Sequence, residues 1–98
     1  MKVLHLISGG DTGGAKTHII SLVKELNKLI DAKVICFIED TFYYDALEAG
    51  INIEVFEQKK RSDMSVIGRL EDEINREGYD IIHCHGARAN FIGMFLKR

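Results

Sequence analysis

Two stretches of this sequence hold groups that could do chemistry. The first is His83-Cys84-His85-Gly86. Side chains two residues apart on a strand project to the same side, so its two imidazoles share a face while Cys84 points the other way. An imidazole can carry a proton, accept or donate a hydrogen bond, or bind a metal near neutral pH. A metal site needs at least a third ligand, and Cys84 points away from the pair, so no metal is expected. His85, at the strand's end, is the candidate for work in a crevice. His83, one pleat further in, reads first as structural. Arg88, just beyond Gly86, presents a planar fork of donors suited to a carboxylate, a phosphate or sugar hydroxyls.

The second stretch is Gly9-Gly10-Asp11-Thr12-Gly13-Gly14, with four glycines in six residues. Glycine permits positive φ and lets backbone N–H groups approach a ligand closely. The helix that follows, from Ala15, adds unpaired N–H groups and a positive dipole end that suit a phosphate. No frame of this loop fits the dinucleotide pattern G-x-G-x-x-G. A nucleoside-triphosphate loop fits better, with Gly10 followed after four residues by Ala15-Lys16-Thr17. There, however, Ala15 stands where the backbone needs glycine, and the fourth strand has no aspartate at its end for magnesium.

The elements that must position these groups follow from hydrophobic period. Val3–Ile7 is a short, continuous apolar run, as a parallel sheet covered on both faces requires. Ile19, Leu22, Val23, Leu26, Leu29 and Ile30 then recur at helical spacing. A strand is expected at Lys33–Ile38, a helix at Phe42–Ala49 stopped by Gly50, and a strand at Ile51–Phe56. Ile67, Leu70 and Ile74 mark a helix that Gly78 ends. Asp80–Cys84 is the fourth strand and Ala87–Lys97 the last helix.

Strands separated by helices pair in parallel through right-handed crossovers. The expected fold is therefore α/β and Rossmann-like, βαβαβαβα, with strand order 3-2-1-4 in one domain over residues 1–98. Ligands bind such sheets where the winding direction switches, here between the first and fourth strands. The loops leaving those strands are the two unusual stretches already named. His5, mid-strand, reads as a satisfied core histidine, and His18 as a packing or capping residue.

Composition narrows the function classes. The chain has 98 residues, 46% hydrophobic and 29% charged, with a formal net charge of -2, which argues against nucleic-acid binding. Lys59-Lys60-Arg61 is the one dense basic group, and it reads as a solvated loop between Glu57 and Asp63. Cys36 and Cys84 lie in apolar strands and suggest a reducing cytoplasm. No run is long enough for a membrane span, although peripheral membrane contact fits the composition. A receiver domain is a poor fit, for want of an acidic cluster at the strand ends.

With Gly13-Gly14-Ala15 after the first strand, His18 in the next helix, and Asp80-Ile81-Ile82-His83-Cys84-His85-Gly86 later, the chain resembles retaining glycosyltransferases of family 4. The later run is similar to that family's Asp-x-x-His-x-His motif. The resemblance implies a GT-B enzyme of two Rossmann-like domains, moving a sugar from a nucleotide sugar to an acceptor, which could be a glycan, a lipid or a small molecule.

It further implies that Gly13 and Gly14 approach the donor diphosphate and that His85 is catalytic, near the transferred sugar. Asp11, Thr12, Lys16, His83 and Arg88 are left as crevice or acceptor contacts. Lys16 departs from the family pattern, where an acidic residue often follows Gly-Gly-Ala. No cofactor is implied beyond the donor substrate. The C-terminal donor domain, with its paired glutamates, is not in the sequence, so the chain is expected to be an inactive front portion of the N-terminal domain. Phe91, Ile92, Met94, Phe95 and Leu96 give its last helix an apolar surface through which copies could self-associate. The alternative is a non-catalytic Rossmann-like module that binds a nucleotide or phosphate.

Overall fold

A computed structural model of the chain describes residues 1–10, 14–60 and 63–96, without the side chains of residues 14–16. The elements run β1 (Lys2–Ile7), α1 (Gly14–Leu26), β2 (Asp31–Cys36), α2 (Thr41–Glu48), β3 (Ile53–Val55), α3 (Ser65–Glu77), β4 (Ile81–His85) and α4 (Gly86–Gly93). The four strands form one sheet in the order β3-β2-β1-β4, and every neighbouring pair is parallel. This is the expected Rossmann-like alternation with the expected switch between β1 and β4.

Strand parity divides the core in two. Leu4, Leu6, Ile35, Phe37 and Ile82 face one way and pack with Val66, Leu70 and Ile74 of α3 and with Ala89 and Ile92 of α4. Ile7, Ala32, Val34 and Cys36 face the other way and pack with Ile19 and Val23 of α1 and with Phe42 and Ala46 of α2. Each large apolar side chain removed from water in these layers contributes roughly 1.5–3 kcal/mol. Both sheet faces are covered, which is why the strands read as continuous apolar runs.

Several boundaries differ from the sequence expectation, and β3 covers only Ile53–Val55 rather than Ile51–Phe56. The first helix stops at Leu26, and Leu29, which continues its apolar period, is 85% exposed. Asn27 ends the pattern: its side-chain oxygen accepts from the Ala32 N–H at 2.9 Å, turning the chain into β2. β2 therefore begins at Asp31, paired with Lys2, and runs to Cys36 rather than over Lys33–Ile38. α4 ends at Gly93 instead of Lys97, and the Phe95 and Leu96 N–H groups close three-residue bonds to Ile92 and Gly93. That tightening is common in a last helical turn. Phe91, Met94 and Phe95 stay exposed.

A buried carboxylate ties α3 to the sheet. Glu73 is 2% exposed. It accepts from Lys33 Nζ at 3.0 Å and Tyr79 Oη at 2.7 Å, and pairs with Arg76. Lys33 also reaches Glu54, at 2.9 Å. Burial works to raise the Glu73 pKa, but the hydrogen bonds from Tyr79 and Lys33 and the nearby cations hold it below its ordinary value. The folded state thus binds this proton less readily than the unfolded chain, and the stabilisation is present above the unfolded value and lost as pH falls through the folded one.

The turns leaving β1 and β4 both need glycine, for different reasons. Gly9 has φ +87°, and a Cβ there would stand 2.9 Å from the Ile38 carbonyl oxygen. Gly86 has φ +88° but open space around a Cβ. Gly9→Ala should therefore lose clearly more stability than Gly86→Ala, whose strain alone costs about 1–2 kcal/mol. Equal losses in denaturant titrations would contradict the close packing of Gly9. Glu73→Gln should cost about 1–3 kcal/mol at neutral pH, with the gap to wild type narrowing below the ordinary glutamate value of 4.5. A gap independent of pH would mean that the carboxylate charge does not contribute.

Candidate functional site

All four histidines of the chain gather around one face of the sheet at the β1–β4 junction. His5 of β1 pairs in register with His83 of β4, and Ile7 with His85. Parity then turns His5, His83 and His85 to the α1 side, while Cys84 packs into the opposite core layer. The His83 and His85 rings stack with centroids 4.1 Å apart, and the His5 ring lies 5.2 Å from His85 and 5.5 Å from His83. His18 of α1 is near enough for its charge to act on His85.

The central contact is between His5 Nδ1 and His85 Nε2, at 2.9 Å. One of these nitrogens carries the proton and the other offers a lone pair, so the rings fix each other's tautomer. His5 is 1% exposed, and its Nε2 has no hydrogen-bond partner among the described residues. Burial, and then the charges of His85 and His83, push the His5 pKa down to about 4. Burial followed by His83 and His18 lowers His85 as well. His5 is accordingly a neutral ring at pH 7, able to orient His85 without competing for a proton from solution.

The glycine loop starts at this same end of the sheet. It leaves β1 at Ile7, the register partner of His85. Gly9 is buried against Ile38 and Cys36, and the Gly10 N–H donates to Ser8 Oγ at 3.3 Å. Asp11, Thr12 and Gly13 lie outside the described residues, as does the Lys16 side chain. Gly14 is the first residue of α1. The first-turn N–H groups of that helix have no helical acceptor of their own, which makes this end receptive to an anion.

Arg88 turns away from the imidazoles. Its Nε donates to Gln58 Oε1 at 2.6 Å and its Nη2 to the Gln58 carbonyl at 3.2 Å. Gln58 is 3% exposed and also donates through Nε2 to the Asp63 carbonyl at 2.8 Å. It pins the loop after β3 to α4 and, with Arg88, lines a cleft of about 430 Å³ beside Ile38. Sequence reasoning missed two residues here. Gln58 gave no signal, being one polar residue next to a charged run. His5 did give one: it shares the parity of Val3 and Ile7, and the expected β1–β4 pairing lays that face beside His83 and His85.

Among the described residues no helix is long and apolar enough to cross a membrane. Three crystal structures of Alr3699/HepE from Anabaena, in complex with UDP and glucose, with UDP-glucose and with UDP, share the fold. Their TM-scores are 0.75, 0.77 and 0.77, each at 24% identity. The match covers 95% of this chain and 25% of the Anabaena chain, so the sequence spans about a quarter of that protein's length. No curated protein sequence matches the chain. The family model for Glycosyltransferase Family 4 matches residues 12–98, which include β2, β3 and the histidine-bearing β4 but not β1, and the chain belongs to that family.

Proposed function

We propose that the chain is the front part of the N-terminal, acceptor-side domain of a GT-B enzyme. That enzyme transfers a sugar from a nucleotide sugar to an acceptor with retention of configuration. The observation that carries this reading is the β1–β4 pairing, which sets the start of the glycine loop and the His85 ring at one end of the sheet in a chain of Family 4. The UDP and UDP-glucose bound by the Anabaena protein support a nucleotide sugar as donor.

In this reading the donor diphosphate sits against the Gly13 and Gly14 backbone and the N-terminus of α1. Charge builds on that diphosphate as the sugar leaves, and preorganised N–H donors with a helix dipole stabilise it there without reorganising. His85 contacts the transferred sugar, with its ring orientation held by His5. Asp11, Thr12, Lys16 and His83 serve the crevice, while Arg88, bonded to Gln58, shapes its wall. The transfer step is assigned no cofactor. Thiols at Cys36 and Cys84 fit a cytoplasmic setting.

The reading assigns the donor grip mainly to a second domain beyond this sequence, so the chain alone is inactive. Phe91, Met94 and Phe95, each 47% exposed or more, are covered by later elements in the complete domain. In the 98-residue chain they drive self-association. Sedimentation at rising concentration should show it, and a clean monomer throughout would remove the claim. In the full-length enzyme His85→Ala should lower kcat by about 10²–10³-fold with little change in melting temperature. Near-normal transfer by that variant would take His85 out of the site.

A further inference from the structure

We propose that His5, His83 and His85 form a binding site for a zinc-like divalent transition metal, with a fourth position open. Each ring offers one nitrogen, and these three atoms all lie within 4.8 Å of one another. Linear spacing alone offers the His83–His85 pair no third ligand. The register of β1 against β4 supplies it by setting His5 opposite His83 on the same face.

The geometry needs only small adjustments. Zinc–nitrogen bonds of about 2.0–2.1 Å in a tetrahedron space the ligand nitrogens by roughly 3.3–3.4 Å. His5 Nδ1 and His85 Nε2 stand at 2.9 Å and must part by a few tenths of an ångström. The His83 ring is exposed, so its side chain is the one of the three least held by packing. With Nδ1 on the metal the His5 ring proton sits on Nε2, which has no hydrogen-bond partner among the described residues.

The donor set selects the ion. Three imidazoles, with no carboxylate in the group, suit zinc, cobalt, nickel or copper. Magnesium and calcium prefer oxygen ligands. Each neutral imidazole binds through one nitrogen and keeps its proton on the other, so the proton now shared by His5 and His85 shifts to a ring nitrogen away from the metal. Because His85 is also the ring assigned to the transferred sugar, metal and sugar would exclude one another.

The test uses the 98-residue chain, stripped of metal and titrated with cobalt(II) and then zinc. Expected are visible d–d bands saturating at one cobalt per chain and their displacement by zinc but not by excess magnesium. His83→Ala, at an exposed position that leaves the core intact, should weaken zinc binding by about 100-fold, and His85→Ala should do the same. Absence of the cobalt bands, or wild-type zinc affinity in a folded His83→Ala variant, would overturn the site.

Discussion

The ladder between β1 and β4 joins segments that are about eighty positions apart in the chain, and it sets His5 beside His83 and Ile7 beside His85. A parallel pairing of this kind closes a long connection that here contains three helices, so its loop-closure cost must be met by burial elsewhere. The two core layers supply that burial. Once β4 lies against β1, direction and parity follow together: both strands end on the same side, and alternate side chains of each face α1. The imidazole cluster and the mouth of the glycine loop are consequences of that one pairing.

The same pairing explains why His5 differs from its neighbours. Leu4 and Leu6 sit in the apolar layer of α3 and α4, where an imidazole would have no partner. At position 5 the ring instead meets His85 across the strand, and a buried polar atom that would be costly alone becomes half of a hydrogen bond. Burial keeps it neutral. A neutral, immobile ring is what holds a neighbouring imidazole in one tautomer. The electrostatics of the site thus derive first from the burial that β1's place in the sheet order imposes, and then from the neighbouring imidazoles.

Much of the fold could be read from residue pattern. Val3–Ile7 declares a strand covered on both sides, Gly50 and Gly78 close helices where expected, and the alternation of elements dictates strand order. Boundaries were less legible where a side chain overrides period, as Asn27 does by capping the turn into β2. At the site, the His83–His85 pair and the glycine loop stood out by composition. The linkage of His5 to His85 did not, since it depends on register, which one-dimensional spacing does not encode. The hold of Gln58 on Arg88 was equally hidden, being a tertiary contact across 30 positions.

The hydrogen bond between His5 Nδ1 and His85 Nε2 is the most direct object for measurement, because it exists only if β1 and β4 pair in this register. Nitrogen NMR of the histidine rings in the metal-free chain reports it. The account predicts a through-hydrogen-bond coupling between those two nitrogens and a His5 ring that stays neutral well below pH 6.5. Two uncoupled rings that titrate independently near the ordinary histidine value would contradict the pairing, and the site built on it.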